Sequence, residues 1–323
     1  MEKFIIIVSG PTACGKTDLV YRLGQLVSIE IINADIGSMY QPLTIGTAKP
    51  DWKKSNITHH GFDIFNQPEQ FSMAQFRILV QKLIVEIWNR GNTPVIVGGS
   101  TMYIKSLLFN MHILPDTKIA VRGLLKDLEL KILEKEALWQ QLNCYDPLRA
   151  SQIHKNDTYR LVQALAIWKT THKKPSTFGQ FFDPLAKFCW ISVQRDRAQL
   201  YDHINKRVSL MMEQGWRSEV AALQHTAWAN FLMQKKIIGY DDMLMNLSSE
   251  SAMEYDILIS TIQQKTRHYA KRQIIFFKKI QTEVRRELLN KPYIGSVHDL
   301  DLTLCDDGLY IKGLLKQILQ NLK

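Results

Sequence analysis

Gly10-Pro11-Thr12-Ala13-Cys14-Gly15-Lys16-Thr17 spells G-x-x-x-x-G-K-T near the start of the chain. These residue types at this spacing suit one task, holding a di- or triphosphate. Glycines let the backbone curl so that successive N–H groups face phosphate oxygens, and the helix that follows adds its partial positive charge. A lysine placed as Lys16 reaches the outer phosphates, and a hydroxyl placed as Thr17 can ligate Mg²⁺. The second candidate is Asp35, which ends the apolar run 29–34. A carboxylate there would repel phosphate, which suits a general base that takes a proton from an attacking nucleophile. From position alone, a turn or helix-capping aspartate reads equally well. The third feature is electrostatic. Residues 265–291 hold nine Lys or Arg (265, 267, 271, 272, 278, 279, 285, 286 and 291) against Glu283 and Glu287, a local net charge of +7. Lys271, Lys278 and Arg285 recur every seven residues, so on one continuous helix they form a stripe. Such a stripe fits a nucleic-acid backbone and salt-sensitive binding, and an ordinary solvated helix face has the same pattern. Phe276 and Phe277 could stack on bases, though core packing suits them better.

A phosphate loop needs a strand before it and a helix after it. Phe4-Ile5-Ile6-Ile7-Val8 is a β-branched run of the kind buried in a parallel sheet. Leu19, Leu23 and Leu26, with Val20 and Val27, mark the buried face of a helix. Residues 29–34 and 94–97 read as further strands, and 73–90 has helical periodicity. This alternation predicts an α/β fold, a parallel sheet flanked by helices. In open parallel sheets ligands bind beyond the carboxyl ends of the strands, where the loop and Asp35 both lie. After Leu114-Pro115-Asp116 the pattern becomes helical, with runs at roughly 121–142 and 156–171, until 187–193 reads as a returning strand. A P-loop core is therefore expected at 1–114 and 188–323, with an all-helical insertion at 115–187. Long helices are expected at about 197–214 and 252–280.

The 323 residues carry 41 Lys or Arg against 31 Asp or Glu, a net charge of +10, and 46% are hydrophobic. Charged residues at 22% are too few for a disordered chain. The early apolar run 4–8 is far short of the roughly 20 residues that span a bilayer, and it lacks the features of a signal peptide. A soluble, cytoplasmic protein is expected, with no membrane partner. Cys14, Cys144, Cys189 and Cys305 form no C-x-x-C, against a disulfide scaffold or a cysteine zinc site. The excess positive charge points to a polyanionic partner. The run 94–97 ends in Gly98-Gly99-Ser100 instead of the Asp usual in ATPases and GTPases, and N-K-x-D is absent. These absences shift weight toward a small kinase-like enzyme or a transferase that handles pyrophosphate.

Fifteen residues after Asp35 comes Pro50, closing Ile45-Gly46-Thr47-Ala48-Lys49-Pro50. With the phosphate loop, this resembles the tRNA dimethylallyltransferases (tRNA isopentenyltransferases). Further blocks agree in order over about 270 residues. They are His59-His60-Gly61-Phe62-Asp63-Ile64, Phe71-Ser72-Met73-Ala74-Gln75-Phe76-Arg77 and Val97-Gly98-Gly99-Ser100-Thr101-Met102-Tyr103. Ile153-His154-Lys155-Asn156-Asp157 with Arg160, Ile204-Asn205-Lys206-Arg207-Val208, Ile238-Gly239-Tyr240 and Thr266-Arg267-His268-Tyr269-Ala270-Lys271-Arg272-Gln273 follow. The resemblance implies transfer of a dimethylallyl group from its diphosphate to N6 of adenosine 37, in the anticodon stem-loop of tRNAs reading codons that start with U, with Mg²⁺ and without ATP. It also implies a P-loop α/β core with a helical insertion. It makes Asp35 the general base and gives the diphosphate to Gly10–Thr17 with Lys16 and Thr17. On its own Arg207 reads as a solvated charge on a helix; the resemblance makes it a diphosphate clamp. It places Asp35, Ile36, Gly37, Ser38, Ser100 and Arg122 near tRNA, with Tyr159, Arg160 and Gln163, with Lys236, Gly239 and Tyr240, and with Lys271, Arg272, Gln273 and Lys278. A monomer is expected.

The chain also departs from the family pattern. Ile36-Gly37-Ser38 stands where the family has Ser-x-Gln, Gln41 where a basic residue is usual, Gln163 in place of an Arg, and Cys14 in place of a Ser. Lys16, Thr17, Asp35 and Arg207 are all kept, so the departures cluster around base readout instead of chemistry. No C-x-x-C…H-x-x-x-H segment is present, so the chain resembles the bacterial members. Two other readings stay open at the level of sequence. One is a P-loop kinase with Asp35 facing an acceptor hydroxyl, and the other is a tRNA-binding relative without catalysis.

Overall fold

The computed structural model describes residues 3–111, 117–129, 134–249, 254–303, 311–313 and 315–317. β1 (Phe4–Ser9) runs into α1 (Lys16–Gly24), followed by β2 (Ile29–Asn33), β3 (His59–His60), α2 (Met73–Asn89), β4 (Thr93–Gly98) and α3 (Thr101–Leu108). The middle of the chain forms β5 (Phe109–Met111), α4 (Lys118–Glu129), α5 (Lys135–Tyr145), α6 (Pro147–Ser151), α7 (Thr158–Thr171) and β6 (Gln180–Phe182). The rest forms β7 (Lys187–Gln194), α8 (Arg197–Glu213), α9 (Trp216–Leu223), α10 (Ala227–Lys235), α11 (Tyr240–Leu247), α12 (Tyr255–Asn290) and β8 (Gly295–Asp301).

Six strands pair in the order β3-β2-β4-β1-β7-β8, all parallel. The expected α/β class holds, because the central strands β1, β2, β4 and β7 are covered on both faces and can be largely apolar. Ile5, Ile6, Ile7 and Val8 are all buried in β1. Glu30 is the charged exception in β2, buried among isoleucines. It is tolerated because Arg90 donates to it from Nε at 2.8 Å and from Nη2 at 2.7 Å, Asn92 Nδ2 donates at 2.8 Å, and His60 Nε2 lies at 2.6 Å. The Arg90 hydrogen bonds lead in holding its carboxyl down to about 2.

The chain divides into two compact units, Met1–Leu108 with Pro184–Lys323, and Phe109–Asp183. The expected junction at 114/115 lies outside the described residues. The expected junction at 187/188 falls inside the first unit, because β6 pairs antiparallel with β5 (Phe182 opposite Phe109) and closes the insertion earlier. One short strand, β6, therefore lies in the segment expected to be all helical, and its partner β5 comes from residues expected to belong to the core. Within it, the single helix expected at 121–142 is two, α4 and α5, and Glu134 before α5 is extended at φ −87°, ψ 150°. The apolar period continues across both because Leu124, Leu138 and Leu142 meet one cluster with Leu161, Val162 and Leu165 of α7.

The larger unit holds a second core around Trp216, Trp228 and Tyr240, built from α8 to α11 and joined by Tyr40 and Leu43. Helices α9 to α11 are not legible in the sequence, since eight or nine residues give barely two turns of periodicity. In contrast, the helix expected at 252–280 runs Tyr255–Asn290, 36 residues and about 54 Å. Ile280 and Val284 carry its buried face past the expected end. No helix among the described residues is long and apolar enough to cross a membrane.

Candidate active site

The site lies at the carboxyl edge of β1, β2 and β4. Register sets this, with Ser9 opposite Gly98 and Asn33 opposite Val97. Asn33 then shapes the turn that follows. Its Oδ1 accepts from Asp35 N at 2.9 Å, and its Nδ2 donates to Asp35 O at 3.0 Å and Gly61 O at 2.9 Å. Ala34 N donates to Val97 O at 2.8 Å, Ser100 N to Ala34 O at 3.2 Å, and Ile36 N to Ser100 Oγ at 3.2 Å. Asp35 is thus presented by a turn hydrogen-bonded on both sides, and Ser100 supports that turn.

The phosphate loop closes over the N-terminus of α1. Gly15 takes φ 100° there, a conformation that suits glycine. Lys16 Nζ donates to Gly10 O at 3.1 Å and Pro11 O at 2.7 Å. Cys14, in the position of the family's Ser, is wholly buried. Lys16, Thr17, Asp35, Ser38 and Arg207 line one cavity of about 100 Å³. Thr12, Asp35, Thr47, Ala48 and Arg207 also line a larger cleft of about 370 Å³. That cleft is walled by Ile36, Gly37, Ile204, Val208, Met211, Trp216, Ile237 and Ile238, with Lys235, Lys236 and Arg272 as further cations beside Arg207. Asp35 therefore stands where a cationic, phosphate-sized space meets a mostly apolar one.

Burial raises the Asp35 carboxyl above its ordinary value, while Lys16, a hydrogen bond from the Gly37 N–H and Arg207 oppose the rise. A carboxylate lifted in this way is a better proton acceptor than a free one. Tyr269 borders the same cleft, and burial together with the Asp35 charge pushes its phenol up, so it is neutral beside the carboxylate.

Several expected RNA contacts are placed elsewhere. Tyr240 is fully buried, and its hydroxyl donates to Glu219 Oε1 at 2.6 Å. The Glu219 carboxylate also accepts from the backbone of Thr44 (3.0 Å), Ile45 (2.7 Å) and Gly46 (3.3 Å), so this pair holds the strap that carries Thr47 and Ala48. Gly239 has φ 85°, and a Cβ there would stand 2.1 Å from the Trp216 ring, so it too is a packing position. Ser38 is 4% exposed and faces the smaller cavity. Gly37 leaves room for the strap, since a Cβ would stand 2.8 Å from Thr47 Cγ2. Gln273 is 3% exposed and bonds to the phosphate loop. Phe277 is buried against Trp190, as core packing predicts.

Of the basic stripe, Lys271 and Lys278 are exposed. Lys278 borders a separate cavity with Gly10 and Pro11. Arg285 is not a free charge on the stripe, because β8 brings Asp299 to 2.6 Å from its Nη2. Lys265 likewise pairs with Asp242. Arg122, Tyr159, Arg160 and Gln163 belong to the inserted unit. There Arg122 on α4 is exposed, Tyr159 is 74% exposed at the start of α7, Arg160 lies 3.4 Å from Asp157, and Gln163 is half-buried. Sequence reasoning misses Trp216, Met211 and Glu219. No local pattern marks them, because only the packing of α8 to α11 turns them to the strap and cleft.

The residues present fit a magnesium ion. Mg²⁺ takes hard oxygen ligands, keeps several waters and commonly needs only one or two protein oxygens beside substrate phosphates. Thr17 is exposed at the cavity that Lys16 and Asp35 border. No cluster of three or more acidic, His or Cys ligands exists among the described residues, so no all-protein cage competes.

A family model described as IPP transferase matches residues 38–280. The chain is 33% identical over 311 residues to a tRNA dimethylallyltransferase of Pseudothermotoga lettingae, covering 94% of this chain and 96% of that protein. It is 37% identical over 284 residues to one of Acetivibrio thermocellus, covering 86% and 89%. The crystal structure of a tRNA isopentenylpyrophosphate transferase from Staphylococcus epidermidis superposes with TM-score 0.62 at 29% identity, covering 99% of this chain and 100% of that one. A eukaryotic dimethylallyltransferase captured acting on tRNA superposes with TM-score 0.77 at 25% identity, covering 99% and 80%.

Proposed function

The chain belongs to the IPP transferase family, whose members are tRNA dimethylallyltransferases, and from that premise we propose its reaction. It transfers a dimethylallyl group from dimethylallyl diphosphate to N6 of adenosine 37 in tRNAs that read codons starting with U. The observation that carries this is the convergence of Lys16, Thr17, Asp35 and Arg207 on one cavity that opens at Asp35 into an apolar cleft. A kinase reading accounts for the phosphate loop but not for an alignment that runs through nearly the whole chain.

The exocyclic amine of adenine is a poor nucleophile, because its lone pair is delocalised into the ring. Asp35 accepts the N6 proton as N6 bonds to C1 of the dimethylallyl group and the C1–O bond to diphosphate breaks. The loop amides beyond Thr12 and the Lys16 ammonium meet the charge that builds on the leaving diphosphate. Arg207 clamps it with the planar fork of a guanidinium. Thr17 would hold Mg²⁺, which supplies further charge neutralisation at the diphosphate. The walls from Ile204, Val208, Met211 and Trp216 exclude water from the allylic carbon. Taking the base out of a loop that is already single-stranded costs only a few kcal/mol.

Supplying dimethylallyl diphosphate, Mg²⁺ and an anticodon stem-loop with adenosines at positions 36, 37 and 38 should add one C5 unit to base 37. Absence of product across several such stem-loops would overturn the proposal. ATP should be ignored with or without RNA. The exposed cations of α12 give a separate expectation. Lys271→Ala combined with Lys278→Ala should weaken stem-loop binding uniformly across sequences. The slope of log K against log salt should flatten by about 1.5, because two phosphate contacts are lost. An unchanged slope would remove both lysines from the RNA interface.

A further inference from the structure

The family resemblance puts Gln273 on the RNA side of α12, yet the structure turns it inward. We infer that Gln273 is a positioning residue that sets the phosphate loop in register with Asp35. This inference rests on the transferase reading of the site. Both ends of its amide are engaged. Oε1 accepts from Thr12 N at 2.9 Å, and Nε2 donates to Gly99 O at 2.8 Å. The flipped amide would set donor against donor and acceptor against acceptor, so the two partners dictate its orientation.

Each partner belongs to a different half of the site. Thr12 borders both the phosphate-sized cavity and the cleft. Gly99 leads into Ser100, whose N–H donates to Ala34 O and whose Oγ accepts from Ile36 N, on either side of Asp35. The contact is built for the amide, since a Cβ on Gly99 would stand 2.5 Å from Nε2. Sliding the loop along the end of β4 would strand a buried donor or acceptor, so the hydrogen bonds resist it. Thr12 N–H is also spent inward, which leaves the diphosphate to the later amides of the loop and to Lys16. Because near-attack geometry tolerates little error, the distance from leaving group to base depends on this one side chain.

The test separates diphosphate affinity from RNA affinity. Gln273→Ala should raise KM for dimethylallyl diphosphate and weaken binding of inorganic pyrophosphate about tenfold or more, with a lower kcat, since a misplacement near 1 Å costs on the order of 100-fold. Affinity for the anticodon stem-loop should stay within about twofold. Gly99→Ala, which presses on the amide from its other side, should change the same quantities in the same direction. Lys271→Ala, exposed on the same helix, should do the reverse, losing RNA affinity and keeping pyrophosphate binding. Loss of RNA affinity by Gln273→Ala with pyrophosphate binding intact would overturn the inference. So would unchanged pyrophosphate binding in both Gln273→Ala and Gly99→Ala. Wild-type protein that binds no pyrophosphate would overturn the phosphate-loop reading along with it.

Discussion

Asp35→Asn is expected to lower kcat by about 100- to 10,000-fold, the range that positioned proton transfer contributes. Stem-loop affinity should hold within a few fold. Asn keeps the shape that fits the cavity and the turn built by Asn33, and it removes the acceptor of the N6 proton together with the charge that faces Lys16 and Arg207. In the wild type, the acid limb of kcat/KM should fall above the ordinary carboxylate range. The sign follows from the chemistry. Asp35 must be deprotonated to act, and burial raises its carboxyl. Activity is therefore lost as pH falls through that raised value. The limb should vanish in Asp35→Asn. Wild-type turnover by that variant would remove the general-base assignment.

Lys16→Ala is expected to lower kcat/KM by roughly 100- to 1,000-fold, the cost of removing one preorganised donor from a developing anion. Its Nζ is held at the Gly10 and Pro11 carbonyls, on the same cavity as Asp35. Lys16→Arg should not rescue, because a planar fork cannot take the place of a compact ammonium inside the loop. The substitution has a second consequence. Lys16 is the largest influence opposing the rise of the Asp35 carboxyl. Removing it lifts that carboxyl further, so the acid limb of the residual activity should move to higher pH. Arg207→Ala should move it the same way by less, since the Arg207 charge acts on the carboxyl more weakly than Lys16 does. An unmoved limb in Lys16→Ala would mean that the lysine and the carboxylate do not share one electrostatic site.

Both expectations rest on residues that the amino-acid order itself makes legible. The phosphate loop is a local device, in which eight consecutive residues, Gly10 to Thr17, carry the curl, the amides, the lysine and the hydroxyl. Asp35 is legible because it ends an apolar strand beside that loop. The sheet is legible for the same reason, since strands buried on both faces are written as uninterrupted β-branched runs. Short helices and edge strands are not, as α9 to α11, β3 and β8 show. A segment of two turns, or a strand at the sheet edge, carries too few buried positions to reveal a period.

What sequence alone determined is the set of groups available to this protein, a G-x-x-x-x-G-K-T loop, a nearby carboxylate and an excess of positive charge. Only the tertiary structure decided which way each residue of the shared motifs faces. Gln273 and Arg272 are neighbours in one basic block, yet one bonds to the phosphate loop and the other borders the cleft. Lys278 and Arg285 share a helical stripe, yet Asp299 neutralises the second. Tyr240 falls in a block assigned to RNA and instead holds Glu219 in the interior. The physical reason is common to all three. A motif fixes spacing along one element, whereas burial and pairing depend on what other elements bring to each face. The deciding partners stand outside the motif, 14 positions away for Arg285, 21 for Tyr240 and 261 for Gln273.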